Sequence, residues 1–204
     1  YAAGAPLSPE EAVDAQVTIA RDGQEHAFPA RLRLNAAAMD SEERELPQRS
    51  LYIEGAETRF VLYNDGGDAL RTKLLSTVCS GLVAQCPVAV PVRTQEPVEV
   101  YVNGDYRGLY SRREDIADAI ARFEGLDSAA ALNVADVNKK AFCGDPAGIA
   151  SALKQLKALN LSLEADRQTL DALLDTESFL NWAAVNAFFG NLNMKSDVIF
   201  YQVG

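Results

Sequence analysis

Residues 98–110 read Val-Glu-Val-Tyr-Val-Asn-Gly-Asp-Tyr-Arg-Gly-Leu-Tyr, and this stretch decides the fold of the first half of the chain. Its valines alternate with other residues up to the Asn-Gly pair at 103–104. That pair supplies the two positive-φ positions that a type I′ turn requires. The pattern therefore predicts a β-hairpin over 97–112, in which Tyr101 lies opposite Tyr106 as an aromatic cross-strand pair.

Toward the N-terminus, the pattern around this hairpin predicts further strands and one helix. Short runs of β type occupy residues 17–20, 27–34, 50–54 and 59–63. Apolar residues at helical spacing predict a helix over 68–84, with Asp68 as its N-terminal cap. Gly108, inside the second strand of the hairpin, predicts that another backbone or a ligand approaches closely there.

Beyond residue 115 the pattern is mainly helical. Helices are predicted over 116–123, 148–159, 163–174 and 178–189. A polar, catalytic-type loop over 190–198 follows, and then a strand-like run over 198–203 for which the pattern offers no partner strand. A β-rich lobe over 1–114 followed by a helical lobe over 115–204 predicts an α+β protein with two lobes.

Composition and charge exclude several classes of protein. The chain has 204 residues, 48% of them hydrophobic, which is too apolar for a disordered chain. No apolar run approaches the roughly 18 residues of a membrane span. With 29 acidic against 19 basic residues, the net charge of -10 argues against a protein that binds nucleic acid. The single histidine, His26, excludes a zinc site of the HExxH type.

The three cysteines, Cys79, Cys86 and Cys143, do not form a CxxC motif. An odd number leaves at least one thiol unpaired within the chain, so a Cys79–Cys86 disulfide and three buried thiols both remain open. The chain begins at Tyr1 in an Ala-rich stretch, which predicts a processed product. This favours a secreted or cell-surface location and leaves the cytoplasm open.

A β-rich lobe with one helix, followed by a helical lobe that ends in helix, polar loop and strand, is the order found in protein kinases. Three stretches, 47–53, 62–116 and 190–201, resemble the CotH family of atypical kinases, which is named after a bacterial spore-coat protein. They are similar to that family's "KKSY" strand, its "LRNKL…VYLNGEYxGVYxLxE" segment and its "GNxDxxxxNYxLY" loop. The Gly-rich phosphate loop usual in kinases is missing.

The resemblance implies a two-lobed kinase-like fold that binds ATP with Mg²⁺ and phosphorylates Ser or Thr of a protein substrate. Arg49 matches the strand lysine that grips the nucleotide phosphates, although its planar guanidinium differs from a compact ammonium. Arg71 and Glu114 match further positions expected at the nucleotide. Arg71 and Lys73 face different ways on the predicted helix, and Arg71 is preferred because it matches the family pattern.

The predicted catalytic loop departs from the family pattern at two positions. Asn193 matches the aspartate that accepts the substrate proton, and an amide cannot act as a general base. Asp197 matches the metal-binding asparagine, four residues on instead of five, and a carboxylate suits Mg²⁺ better on charge. Asp197 could therefore serve as metal ligand and base together. The family's second metal-binding aspartate, in a "WDxD" segment, is expected after residue 204.

These departures leave a second hypothesis, from another class of function. A pseudokinase of the same fold would bind a protein partner and act as a coat or cell-surface component. A third hypothesis is an unrelated carbohydrate- or protein-binding module. Each candidate also has a structural interpretation: Arg49 as a solvated strand residue, Glu114 as a helix-start carboxylate, and Asn193 as a loop residue that bonds to backbone. The sequence does not indicate an oligomeric state.

Overall fold

A computed structural model describes residues 11–35, 48–191, 194 and 198–204 of the chain. These residues form a six-stranded sheet, a three-stranded sheet and five α-helices, which confirms the predicted α+β class. None of the helices in the described part is long and apolar enough to span a membrane.

The described residues belong to two compact units. The first unit is drawn from residues 1–81 and 93–115, and the second from residues 82–92 and 116–204. Within the second unit, Arg122 Nη2 donates a hydrogen bond to Val92 O at 2.8 Å.

The first unit is built on an antiparallel sheet in the order β1-β2-β3-β4-β6-β5. Its strands are β1 (Ala12–Arg21), β2 (Gln24–Leu34), β3 (Leu51–Gly55), β4 (Arg59–Tyr63), β5 (Gln95–Val102) and β6 (Asp105–Glu114). The predicted strands are confirmed, because alternation of apolar residues puts one face of each strand into a core. At the centre of that core, Ile53 is 1% exposed and Phe60 5%.

The hairpin of β5 and β6 forms as predicted. Val102 pairs with Asp105 across the turn, and the rings of Tyr101 and Tyr106 lie 5.2 Å apart. The register shifts after Val100, which pairs with Gly108, and this shift leaves one extra residue in β6 as a bulge.

The helix predicted over 68–84 is wrong in its first half. Helix α1 covers only Leu75–Val83, and a 3₁₀ turn with irregular backbone precedes it. Two features stop the helix from starting earlier. Lys73 has a φ of +55°, which an α-helix excludes. The carboxylate of Asp68 accepts hydrogen bonds from the amides of Leu74 and Leu75, so it caps α1 from a distance.

The second unit contains four helices and a three-stranded sheet in the order β8-β7-β9. Its elements are α2 (Ile116–Phe123), β7 (Leu132–Asp136), β8 (Ala141–Cys143), α3 (Ala147–Leu156), α4 (Glu164–Leu173), α5 (Thr176–Phe188) and β9 (Ile199–Val203). The four predicted helices and the predicted final strand form, but the mainly helical pattern missed β7 and β8, and the expectation of a final strand without a partner is wrong.

Strand β9 pairs antiparallel with β7, with Val134 opposite Tyr201. Val134 and Ala135 are fully buried, which makes β7 the centre of this small sheet. Its apolar run is too short for periodicity to separate a buried strand from a piece of helix.

All three cysteines are free thiols, so the Cys79–Cys86 disulfide does not form. The expectation of three buried thiols is also wrong. Cys86 is exposed, and Cys79 and Cys143 are half-buried.

Candidate functional site

A buried polar network surrounds the start of β3, immediately beside Arg49. Asn64, which is fully buried at the end of β4, is its centre. The Asn64 side chain accepts hydrogen bonds from Ser50 Oγ and from Gly66 N, each at 3.0 Å. It donates one from Nδ2 to Gln48 O at 3.0 Å. These bonds fix the backbone on both sides of Arg49.

Gln48 joins this network to the hairpin. Its Nε2 donates to Arg107 O at 2.7 Å, and its Oε1 accepts from Lys73 Nζ. Gly108 has a φ of +107°, and a Cβ there would lie 2.0 Å from Gln48 Nε2. A close approach at Gly108 is thus present, but the prediction that a backbone or a ligand approaches is wrong, because the approaching group is the Gln48 side chain. Only glycine fits both the backbone and the space.

Lys73 is the basic group of the network. Its Nζ also donates to Leu109 O at 3.1 Å, and its backbone adopts a left-handed conformation that turns the chain toward the sheet. Burial lowers the pKa of Lys73, and the charge of Asp65 partly offsets that effect. Desolvation disfavours a charged amine unless an opposite charge lies near.

Asp65 is the acidic group of the network, and its residue is 5% exposed. Its carboxylate accepts hydrogen bonds from Ser111 Oγ at 2.8 Å and from Ser76 Oγ at 3.0 Å. Burial nevertheless raises the pKa of Asp65 above its ordinary value, against the lowering effect of these bonds and of Arg113 and Lys73. A carboxyl group that stays at a buried position, where burial disfavours its ionised form, is typical of functional sites.

This raised pKa gives a prediction with a definite sign. We expect Asp65→Asn to raise the thermal midpoint of unfolding at pH 7, because the amide can still bond Ser111 and Ser76 without burying a charge. Asparagine also tolerates the left-handed backbone found at this position. A carboxyl with a raised pKa stabilises the fold at low pH and loses that contribution as pH rises through the folded-state pKa.

The advantage of the Asp65→Asn variant should therefore shrink as pH falls toward the ordinary aspartate pKa. Thermal unfolding of both proteins between pH 4 and pH 8 measures this. Asp127→Asn, an exposed site, is the matched control and should show no such trend. A lower thermal midpoint for Asp65→Asn than for the native chain at pH 7 would contradict the inference that the buried charge of Asp65 destabilises the fold.

Two of the predicted nucleotide-binding residues differ in their surroundings. Arg49 is half-buried, and its chain neighbours Gln48 and Ser50 are the members of the network described above. Arg71 is exposed in the irregular segment before α1. The argument that preferred Arg71 to Lys73 assumed a helix that does not extend there, and Lys73 is the residue that reaches the network. Roles for Arg49 and Arg71 in binding phosphate remain predictions.

Glu114 lies at the end of β6 in a separate polar cluster. Its Oε2 accepts hydrogen bonds from Thr94 N at 2.9 Å and from Thr94 Oγ1 at 3.1 Å. Its backbone carbonyl accepts one from Arg93 Nε at 2.8 Å. Burial, and then repulsion from Arg113, lowers the pKa of Arg93 to about 10. In these contacts Glu114 ties the residues just before β5 to the end of β6, and its role at a nucleotide remains a prediction.

The predicted catalytic residues, Asn193 and Asp197, lie outside the described residues. Asn191, just before them, donates from Nδ2 to Asn186 Oδ1 at 2.7 Å and so packs onto the end of α5. Within the described part of the chain, no group of three acidic, histidine or cysteine side chains is arranged to hold a metal ion. The proposed Mg²⁺ ligand at Asp197 therefore stays a prediction.

The described residues define an α+β protein whose buried polar network holds the start of a strand against a hairpin. A family model described as "CotH kinase protein" matches residues 32–203, so the chain belongs to the CotH family. No curated protein sequence matches the chain significantly.

Proposed function

We propose that this chain is an atypical kinase that binds ATP with Mg²⁺ and transfers phosphate to Ser or Thr of a protein. Membership of the CotH family supports a kinase-like function. In this proposal residues 1–114 form the nucleotide-binding lobe, and residues 115–204 form the lobe that carries the loop at 190–198. The observation that carries it is the polar network that holds Arg49.

The residues of the network fit an anionic ligand. Arg49 stands between half-buried Gln48 and buried Ser50, both of which are hydrogen-bonded to Asn64, so a phosphate that binds it meets a cation on a fixed stretch of backbone. Lys73 supplies a second positive charge in the same network. The Asp65 carboxylate partly offsets the charge of Lys73. The acidic net charge of the chain makes such a local cationic group necessary for nucleotide binding.

Mg²⁺, when bound, would supply charge neutralisation at the phosphates, and Asp197 is the residue proposed to hold it. Asn193 would orient the substrate hydroxyl by hydrogen bonding, because an amide has no basic function. Asp197 is then the residue proposed to accept the hydroxyl proton.

The test of nucleotide binding is a thermal shift with ATP and Mg²⁺. We expect ATP at millimolar concentration to raise the thermal midpoint of the native chain. A tenfold loss of affinity in Arg49→Ala corresponds to about 1.4 kcal/mol, or about 3–5 °C less shift. Arg49→Lys, which restores the family residue, should retain the shift.

Arg31→Ala is the matched control, since Arg31 is an exposed arginine on the neighbouring strand β2. It should shift as the native chain does. No shift of the native chain at millimolar ATP would overturn nucleotide binding. An equal shift in Arg49→Ala and the native chain would overturn the role of Arg49.

A second candidate function is a pseudokinase that binds a protein partner, as a coat or cell-surface component. The observation that favours it is that Arg49 and Asn193 both replace the family's catalytic residue types. This function keeps the same fold and permits nucleotide binding without phosphate transfer. Binding and transfer must therefore be measured separately.

A further inference from the structure

The second unit contains an open cleft of about 740 Å³, within the size range of sites that bind small molecules. Helices α2 and α3 contribute aliphatic walls, including Ile120, Ile149 and Leu153. Strand β9, the start of α5, the end of α4 and residues 90–91 contribute the remaining walls. All the residues that form this cleft belong to the second unit, so its shape is set within that unit.

Aromatic side chains form one side of the cleft. Phe179 and Trp182, one turn apart on α5, stack with ring centroids 5.6 Å apart and an interplanar angle of 29°. Phe200 and Tyr201 line the cleft from β9. Aromatic faces attract organic cations through their negative quadrupoles, most strongly for tryptophan.

Two carboxylates accompany these rings. Glu124 Oε1 accepts a hydrogen bond from Tyr201 Oη at 2.6 Å. Asp175 caps α5, because its Oδ1 accepts a hydrogen bond from Ser178 N at 2.9 Å. Each of these contacts uses one oxygen of the carboxylate. The second oxygen of Glu124 and that of Asp175 accept no hydrogen bond from Tyr201 or Ser178.

The two carboxylates act on the same part of the cleft. Burial, followed by the negative charges of Glu124 and then Asp175, raises the pKa of Tyr201. Among the described residues that line the cleft, none is lysine, arginine or histidine. The cleft therefore combines an apolar interior, aromatic faces and two exposed acidic residues at its edge.

We propose that this cleft binds an organic cation, an ammonium or guanidinium group attached to an apolar body. The apolar body would pack against the aliphatic and aromatic walls, and the cationic group would lie between the carboxylates of Glu124 and Asp175. This site is distinct from the network around Arg49, and it does not depend on the proposed kinase function.

Trp182 is the only tryptophan of the chain, so its fluorescence reports on the cleft. The test titrates the full chain with three ligands that share one apolar body: 4-phenylbutylammonium, 4-phenylbutanol and 4-phenylbutanoate. We expect saturable binding of the ammonium with a Kd at least about tenfold below that of the alcohol, and weaker binding still of the carboxylate. Calorimetry should give one site per chain.

Two variants locate the site. Glu124→Gln keeps an acceptor for the Tyr201 hydroxyl, and Asp175→Asn keeps a good N-cap, so both should fold while losing one charge. Each is expected to raise the Kd of the ammonium about threefold to tenfold and to leave that of the alcohol unchanged. Glu177→Gln, an exposed position on α5 that does not line the cleft, is the matched control and should bind as the native chain does.

Three results would overturn the proposal. Absence of saturable binding would show that the cleft takes no such ligand. Equal affinities for the ammonium and the alcohol would show an apolar cleft without charge selectivity. A charge preference that persists unchanged in both Glu124→Gln and Asp175→Asn would place the site elsewhere.

Discussion

Asn64→Ala is expected to lower the free energy of unfolding by about 4 kcal/mol, the largest effect of a single substitution on stability that the structure indicates. The Asn64 side chain has no exposed surface. Its removal leaves Gly66 N and Gln48 O without this partner, and Ser50 Oγ loses its acceptor while still accepting from the backbone N of residue 64. A buried polar group without a partner costs about 1–3 kcal/mol, and the truncation also leaves a cavity.

Asn64→Asp tests the loss of the donated hydrogen bond without a change in side-chain volume. The carboxylate has the size of the amide and accepts from Ser50 and Gly66, but in its ionised form it cannot donate to Gln48 O. We expect a loss of stability at pH 7 similar to that of Asn64→Ala. Burial raises the pKa of the new carboxyl, so its protonated form, which can donate, is favoured in the fold. The loss should therefore diminish as pH falls toward 4.

Chemical denaturation of the native chain and both variants, at pH 7 and pH 4, measures these effects. Asn160→Ala is the matched control, because Asn160 is exposed and its side chain accepts one hydrogen bond, from Ser162 N at 3.1 Å. That substitution should cost about 1 kcal/mol or less. A cost below 2 kcal/mol for Asn64→Ala would show that the network does not stabilise the fold.

The hairpin could be predicted from the sequence because its determinants are local. The Asn-Gly turn at 103–104 fixes the register, and the register then fixes the pairing of Tyr101 with Tyr106. The close approach at Gly108 was also predictable, since glycine inside a strand signals missing space for a side chain. The identity of the approaching group, Gln48, was not, because it comes from a residue 60 positions earlier.

The errors in the fold share a physical cause, which is that tertiary contacts override local pattern. The apolar spacing over 68–84 predicts a longer α1, yet Leu70 is 83% exposed and Lys73 takes a left-handed conformation that lets its ammonium reach Leu109 O. The β7–β9 pairing joins segments more than 60 residues apart, and no turn signal marks it.

The candidate site was predictable only in part. The resemblance to the CotH family identified the segments that hold Arg49, Asn64 and Asp65, and the family match over residues 32–203 confirms the family. Residue type alone did not indicate that Lys73, Ser111 and Gln48 converge, because their contacts depend on the bulge and on the left-handed turn.

The largest expected effect on activity is at Asp197. If the chain transfers phosphate, Asp197→Ala should reduce the rate by about 10²–10⁴-fold, because one substitution removes both the proposed metal ligand and the proposed base. The measurement is incorporation of labelled γ-phosphate from ATP into the chain itself and into a Ser- and Thr-containing protein. Asp127→Ala, an exposed site in the second unit, is the matched control and should keep the native rate.

Substitutions at Asn193 then test which residue accepts the proton. Asn193→Ala should lower the rate much less than Asp197→Ala, because an amide contributes orientation without basicity. Asn193→Asp, which restores the family's residue, should raise the rate and make it less sensitive to loss of Asp197. Equal labelling by the native protein and Asp197→Ala would contradict the role of Asp197. If the uncut protein, which would carry the metal-binding aspartate expected after residue 204, gives no labelling either in its native form or as Asn193→Asp, the result contradicts phosphate transfer and favours the pseudokinase alternative.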